Sequence, residues 1–233
     1  MERKKIHRFK TKILEIKQIT PSTKHIVISI PKDFDFYPGQ FISIILDKEG
    51  REIRRPYSIA SKPTPNSLDL CIKILEKGLG TPIIDKFKVG DEIEVMGPMG
   101  NFIINQQSLN KPLILISTGT GVTPFRSIIH HLLENNFQST ITLLAGYRHE
   151  FDILYEDEFK ELADKKENFS YHRILSQPKE DDEKGYVQDL VKDNLLSDAN
   201  YYICGLKEMV NAVKDLLEEK GIPKEQIFFE KYD

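Results

Sequence analysis

The stretch Lys111–Arg126, KPLILISTGTGVTPFR, decides the fold of this chain. It begins with the apolar run Leu113–Ser117, which is typical of a buried strand. A glycine-rich turn, Thr118–Val122, follows, and Thr123 and Pro124 are expected at the N-cap and at the first position of a helix. The pattern predicts a strand, a turn and a helix whose first N–H groups converge on an anion such as a pyrophosphate.

The match of this turn to a dinucleotide-binding fingerprint is incomplete, because Pro124 stands where a third glycine would fall. The apolar residues Phe125, Ile128 and Leu132 recur at helical spacing and support the helix. A glycine pair after a strand also occurs in purely structural turns. The turn alone leaves both interpretations open.

Composition excludes several classes of function. The 233 residues are 39% hydrophobic and 30% charged, and the net charge of −3 argues against nucleic acid as the main partner. No apolar run is long enough to span a membrane, and no apolar segment follows the basic first ten residues, so neither a span nor a secretory signal is predicted. Only two cysteines are present, Cys71 and Cys204, which argues against a disulfide scaffold or an iron–sulfur cluster and favours a cytoplasmic location. The six histidines lack metal-ligand spacing, so no metal site is predicted.

The first half of the chain alternates apolar and polar residues with a period of two, as in His25–Ile30. Strands of this length at about ten-residue spacing predict an antiparallel barrel or sandwich, assigned to a domain over residues 1–106. The charged segment Asp47–Glu52 and the stretch Gly97–Phe102 are interpreted as turns.

The second half, residues 107–233, alternates strands with helices, which predicts a doubly wound α/β domain with a parallel sheet. Ligands of such sheets bind beyond the carboxyl ends of the strands. The residues expected at this edge are Gly119–Thr123, Tyr147-Arg148, Ser176-Gln177, Cys204-Gly205 and Glu230–Asp233.

Two segments of the first half carry chemistry beyond a barrel. In Arg54–Ser58, an arginine suited to phosphate precedes a tyrosine ring and a hydroxyl, and the less favoured alternative is a basic edge strand that deters edge pairing. In Gly78–Pro82, Thr81 is expected as the N-cap of a second helix start, which predicts either a second phosphate site or a helix that only caps the barrel. Cys204 lies at a strand end without a His or Asn partner, so a nucleophilic thiol is not favoured.

These segments together resemble the ferredoxin–NADP reductase-type flavoproteins, in which a six-stranded antiparallel FAD-binding β-barrel precedes a doubly wound α/β NAD(P)-binding domain. The resemblance covers nearly the whole chain. It is carried by motifs that occur in the family's order, namely Arg55-Pro56-Tyr57-Ser58, Gly78–Thr81, Gly97-Pro98 with Gly100 and Phe102, Gly119–Pro124, Cys204-Gly205 and a final acidic-then-aromatic tail.

The resemblance implies that hydride passes from NADH or NADPH to bound FAD, with FMN as the alternative flavin. The implied catalytic residues are Tyr57, Ser58, Cys204 and Glu230. The residues implied to bind the flavin are Arg55, Pro56, Tyr57, Ser58, Cys71, Ile72, Lys73, Gly80, Thr81 and Tyr232. The residues implied to bind the nicotinamide nucleotide are Gly119, Thr120, Gly121, Thr123, Pro124, Cys204 and Gly205, with Arg148 added at the same sheet edge. Because Asp233 follows Tyr232, stacking of Tyr232 on the flavin is left open.

The electron acceptor is left open between a protein (ferredoxin, flavodoxin or an oxygenase component) and free flavin. A third alternative is an electron-transfer subunit of a larger complex. Cys204 and the tail favour a protein acceptor, and the absence of a four-cysteine insertion argues against the subunit. Ser176-Gln177, followed by the acidic Glu180–Glu183, favours NADH over NADPH, although Lys179 or Arg173 could reverse this preference.

Overall fold

A computed structural model describes residues 4–179 and 184–232 of the chain. Within it the chain forms two compact units. The first contains the residues up to Ile103 together with Thr123–His131, and the second contains Ile104–Val122 and the residues from Leu132 onward. Since Thr123–His131 groups with the first unit, the domain bounds 1–106 and 107–233 stay a prediction.

The first unit is built on a six-stranded antiparallel sheet, which confirms the predicted barrel-type fold. Its strands are β1 (His7–Thr20), β2 (Thr23–Ser29), β3 (Phe41–Lys48), β4 (Arg51–Ser58), β5 (Ser67–Lys73) and β6 (Glu92–Met99), and a short helix α1 (Thr81–Ile84) follows β5. The strands pair in the order β4-β3-β6-β1-β2-β5, so β4 and β5 are the two edge strands.

The alternating sequence buries one face of this sheet. Ile28, Ile42, Leu68 and Val95, from four different strands, are fully buried in a single apolar core. Burial of each such side chain contributes roughly 1.5–3 kcal/mol. The core therefore fixes which side chains of the edge strands point outward.

The charged segment Asp47–Glu52 is a tighter turn than its sequence suggests. β3 runs to Lys48 and β4 begins at Arg51. Glu49 and Gly50 have φ of 55° and 76°, the conformation of a two-residue hairpin turn.

The prediction of a turn over Gly97–Phe102 is wrong as far as Met99, because β6 continues through Gly97 to Met99. A Cβ at Gly97 would lie 2.6 Å from Cγ2 of Ile42 on the neighbouring strand. The glycine thus serves close strand packing here, and the turn follows at Gly100, whose φ is 98°.

The second unit contains a five-stranded parallel sheet, as predicted. Its strands are β7 (Leu113–Thr118), β8 (Ile141–Tyr147), β9 (Phe169–Leu175), β10 (Asn200–Leu206) and β11 (Ile227–Tyr232), and the helices of this part of the chain are α2 (Val122–Glu134), α3 (Glu156–Lys165), α4 (Val187–Asp193) and α5 (Lys207–Glu219). The strand order is β11-β10-β7-β8-β9. The chain order therefore reverses between β7 and β10, and in open α/β sheets ligands bind at this switch point.

The central strand β7 is buried on both faces, and Leu113–Ile116 are at most 1% exposed. On one face, Ile114 and Ile116 pack with Val191 of α4 and Val210 of α5. This burial holds the carboxyl end of β7, where the glycine-rich turn begins, at the centre of the sheet.

Across residues 4–179 and 184–232, no helix has the length and apolar character to cross a membrane. The same residues contain no group of three or more His, Cys, Asp or Glu side chains that could hold a metal ion.

Candidate functional site

The edge strands β4 and β5 of the antiparallel sheet meet at one end and leave an open seam beside it. Ile59, the residue after β4, forms an antiparallel bridge with Leu70, and the Ala60 N–H donates to the Asp69 carbonyl over 2.8 Å. Among the described residues, no ladder continues from this bridge along the two strands. If the antiparallel register of this bridge continued along the two strands, Ser58 would lie opposite Cys71.

The seam therefore brings together two segments that the family resemblance assigns to the flavin, Arg55–Ser58 on β4 and Cys71–Lys73 on β5. Cys71 and Ile72 are buried, whereas Lys73 and Pro56 are exposed. On its other side, β5 is paired with β2 through Lys73 opposite Thr23. One backbone edge of Cys71–Lys73 thus faces the seam.

Arg55 lies against the start of α1. A Cβ at Gly80 would lie 2.8 Å from Cγ of Arg55 and 3.0 Å from Cδ1 of Leu46, so glycine lets the arginine stem pass. The Arg55 Nη1 donates to the Arg54 carbonyl over 2.8 Å. The structure places the predicted phosphate-binding arginine beside the predicted phosphate-binding turn.

Tyr57 and Ser58 extend this surface. Tyr57 packs against the apolar core, and burial raises the pKa of its phenol to about 12, while the nearby Arg55 charge opposes the shift. The ring is therefore neutral at any working pH and suits contact with an apolar ring system. Ser58 is 6% exposed at the end of β4.

The prediction that Thr81 is the N-cap of α1 is wrong. Gly80 occupies the N-cap, and Thr81 is the first helical residue. The Thr81 hydroxyl donates to the Leu75 carbonyl over 2.8 Å and accepts from the Leu75 N–H over 3.1 Å. It closes the loop before the helix instead of capping the helix, so any contact of Thr81 with a flavin stays a prediction.

The glycine-rich turn after β7 also differs from its prediction. Gly119–Gly121 form a 3₁₀ turn, and α2 begins at Val122, so Thr123 and Pro124 are the second and third helical residues and Thr123 is not the N-cap. A Cβ at Gly121 would lie 2.1 Å from the Cys204 carbonyl oxygen. This close approach to β10 turns the chain into the helix early, and proline is tolerated there because first-turn N–H groups lack intrahelical partners.

Two buried hydroxyls that sequence reasoning missed, those of Ser117 and Thr118, directly precede this turn. Their side-chain oxygens have no hydrogen-bond partner in the described part of the chain. Buried polar atoms are normally paired, so unpaired ones at a sheet edge fit a polar ligand. Gly119, with a φ of 52°, has no atom within 4 Å of its Cβ position, which leaves room for that ligand.

The carboxyl end of β10 contains Cys204 and Gly205. Cys204 pairs with Ser117 of β7 and with Glu230 of β11. Complete burial raises the pKa of the Cys204 thiol well above its usual value, the Glu230 charge adds to the rise, and a hydrogen bond with Tyr232 opposes it. Cys204 is therefore a neutral thiol and not a thiolate nucleophile.

Glu230 is the side chain of this cluster whose charge changes near neutral pH, because burial raises its pKa to about 7. Between the unfolded pKa of about 4.3 and pH 7, the folded protein keeps a proton that the unfolded chain has lost, so stability falls as the pH rises through this window.

We expect Glu230→Gln to raise the free energy of unfolding by about 2 kcal/mol at pH 8 and by under about 1 kcal/mol at pH 5. Urea unfolding at both pH values measures this difference. Glu225→Gln, at an exposed position shortly before β11, is the control, and equal behaviour of the two variants would contradict the prediction.

The remaining predicted residues lie at the ends of β8 and β9. The Ser176 N–H donates to the Tyr147 carbonyl and the Gln177 N–H to the Arg148 carbonyl, so these two strand ends lie side by side. Arg148 is exposed. Its contact with a nucleotide stays a prediction.

Of the two cations that could favour a 2′-phosphate, Arg173 is held by a carboxylate, since its Nε lies 2.7 Å from Oε1 of Glu156. Lys179 is exposed, and its backbone N–H donates to Glu150. The acidic residues Glu180–Glu183 lie outside the described residues, as does Asp233.

Two family models match the chain, an oxidoreductase FAD-binding domain over residues 10–104 and an oxidoreductase NAD-binding domain over residues 115–215. Ferredoxin–NADP reductase B of Sorangium cellulosum (strain So ce56) is 31% identical over 97% of this chain and 98% of its own length. The toluate 1,2-dioxygenase electron transfer component of Pseudomonas putida is 28% identical over 96% of this chain and 67% of its own length.

The fold also matches a solved structure, the ferredoxin–NADP⁺ reductase from Plasmodium falciparum with 2′P-AMP. The TM-score is 0.83 at 27% identity, and the match covers 97% of this chain and 96% of that one. The two matched domains occur in the order predicted from the resemblance, and one relative is aligned over nearly its whole length. The chain belongs to the ferredoxin–NADP reductase family of FAD-dependent NAD(P)H oxidoreductases.

Proposed function

We propose that this protein passes electrons from NAD(P)H through FAD to a protein acceptor, which is a ferredoxin, a flavodoxin or an oxygenase component. The open seam between β4 and β5 carries the proposal, because it aligns Arg55–Ser58 with Cys71–Lys73 along one edge. When bound, FAD would supply the redox chemistry, taking a hydride from NAD(P)H and releasing electrons singly.

The protein's own side chains would bind the flavin and orient it. Arg55, beside Gly80, would hold the flavin phosphates as a planar donor suited to phosphate oxygens. Tyr57 would pack on the ring, and Ser58 would offer a hydroxyl at the buried end of the seam.

On the nucleotide side, Ser117 and Thr118 offer unpaired hydroxyls next to the open space at Gly119. Gly119–Gly121 would hold the phosphates, and the neutral thiol of Cys204 with Gly205 would border the nicotinamide. Glu230, whose pKa is about 7 because of burial, is suited to exchange a proton near neutral pH.

We propose NADH as the preferred nucleotide. A 2′-phosphate requires a fixed positive charge, and Gln177 supplies none while Arg173 is engaged by Glu156. The ratio of kcat/KM for NADH to that for NADPH tests this preference, and a ratio below one would overturn it.

A protein acceptor is supported by the names of two relatives, a ferredoxin–NADP reductase and a dioxygenase electron transfer component. Cytoplasmic residence belongs to the same proposal and is supported by two buried free cysteines, Cys71 and Cys204.

Absorption spectroscopy tests the proposed function. The purified protein should be yellow, and one equivalent of NADH per flavin should bleach it in the absence of oxygen. The released flavin, identified by chromatography, should be FAD and not FMN. Reduction of cytochrome c that depends on added ferredoxin should then exceed reduction of free FMN; the reverse result would favour a flavin reductase.

A further inference from the structure

We propose that Arg126 and Asp69 are positioning residues for hydride transfer. Their ion pair holds the first turns of α2 on β5 of the flavin sheet and thereby sets the position of Thr123 and Pro124 beside the seam. The inference rests on the proposed function and adds to it two residues outside the motifs that carry the resemblance.

The ion pair between Arg126 and Asp69 is mostly buried, and its hydrogen bonds fix the direction of the guanidinium group. Nη1 of Arg126 lies 3.0 Å from Oδ2 of Asp69 and 3.0 Å from the Ala60 carbonyl oxygen. The two side chains are only 16% and 20% exposed. Charge-assisted bonds in such a setting are stronger and more rigid than surface ion pairs.

A neighbouring set of hydrogen bonds joins the same elements. The Ser127 hydroxyl donates to the Ser61 carbonyl, and the Ser61 hydroxyl accepts from the Asp69 N–H over 3.0 Å. Two consecutive helix residues are thus tied to the segment that follows β4 and, through Asp69, to β5.

These hydrogen bonds lie beside the Ile59–Leu70 bridge, where the seam between β4 and β5 begins. Asp69 and Ala60 flank the Ile59–Leu70 bridge, so each is two residues from the seam positions Cys71 and Ser58. Along α2, Arg126 follows Pro124 by two residues. A small movement of this helix turn therefore changes where Thr123 and Pro124 lie relative to the flavin edge within the same compact unit.

Stability alone does not require these charges, because α2 already buries Phe125, Ile128 and Ile129 completely. Those apolar contacts are non-directional, whereas Nη1 of Arg126 donates to both the Asp69 carboxylate and the Ala60 carbonyl, which requires one arrangement of the two acceptors. A positional role is the property that the ion pair adds to the apolar packing.

The test uses holoprotein with Arg126→Met, which keeps an unbranched apolar stem and removes the guanidinium donors. Anaerobic stopped-flow reduction by NADH measures the limiting rate of flavin reduction, the nucleotide Kd and the isotope effect with C4-deuterated NADH. We expect the limiting rate to fall about tenfold or more, because misplaced reacting groups lose rate steeply, with an enlarged isotope effect and a Kd within about twofold of wild type.

Arg8→Met is the matched control. Arg8 also bonds carboxylates of the same sheet, Glu52 and Glu94, but on the exposed surface, and this variant should reduce like wild type. Arg126→Lys should recover part of the rate, since it restores a donor to Asp69. Asp69→Asn removes the charge from the other side of the ion pair and is the second variant if Arg126→Met does not fold. It also affects His25, which lies 3.6 Å from the Asp69 carboxylate.

A limiting rate within about twofold of wild type in Arg126→Met and in Asp69→Asn would overturn the inference, and so would an equal loss in Arg8→Met. Wild-type protein that holds FAD but is not reduced by either nucleotide would overturn the proposed function and this inference with it. The two failures are distinct because only the second appears in the wild-type trace.

Discussion

Replacing Arg55 with leucine should lower the affinity of the protein for FAD by about a hundredfold, since each hydrogen bond between a charged group and its partner contributes about 1.5–3 kcal/mol. Leucine keeps the Cγ that lies beside Gly80, so the sheet should fold as before. Fluorescence quenching during FAD titration of the apoprotein measures the change in Kd.

The adjacent arginine supplies the control for this result. Arg54 is exposed on β4 and is bound by Glu52, with Nη2 and Oε1 2.8 Å apart. Arg54→Leu should leave the FAD Kd within about twofold of wild type, because surface ion pairs contribute little. Equal losses in the two variants would mean that general positive charge on β4, and not Arg55 at the seam, holds the flavin.

The architecture could be predicted from the sequence because periodicity reports burial. The period-two alternation of the first half requires a sheet with one buried face, and the observed core contains those apolar positions. The apolar run Leu113–Ser117 similarly requires a strand covered on both faces, and β7 is that strand. These patterns lie within single segments of the sequence, so they can be recognised without knowing which residues contact those segments in the fold.

Both helix starts were mispredicted because their geometry depends on distant residues. Cap preferences favoured Thr81 and Thr123. The observed starts follow from Leu75, which engages the Thr81 hydroxyl, and from the Cys204 carbonyl, which lies against Gly121. Neither contact has a signature within its own segment.

The site itself was predicted only in its parts. Family motifs identified Arg55, Ser58 and Cys71, but the register that sets Ser58 across from Cys71 depends on the Ile59–Leu70 bridge. The unpaired hydroxyls of Ser117 and Thr118 were missed, since a serine or threonine at a strand end is common and its lack of a partner is visible only in the fold. The one sequence signal was their place directly before the glycine turn.

Replacing Gly121 with valine should abolish reduction by the nucleotide while sparing the flavin. The new Cβ would lie 2.1 Å from the Cys204 carbonyl oxygen and 2.8 Å from Cα of Gly205, and backbone of a central sheet strand cannot yield cheaply. The 3₁₀ turn must move outward, which displaces the groups expected to hold the nucleotide phosphates. A displacement of about 1 Å can lower a rate a hundredfold, so we expect at least that loss in kcat/KM for NADH.

Two measurements separate this effect from general misfolding. FAD bound to the first unit should keep its absorption spectrum in Gly121→Val and should still be reduced by dithionite. Gly119→Ala, in the same turn, meets no atom within 4 Å of its Cβ, so its folding cost is limited to the strain of a φ of 52°, about 1–2 kcal/mol. If Gly121→Val were reduced by NADH at the wild-type rate, the turn would not be the nucleotide site. If Gly119→Ala kept its fold but lost nucleotide affinity, the open space at Gly119 would be identified as the place that the phosphates occupy.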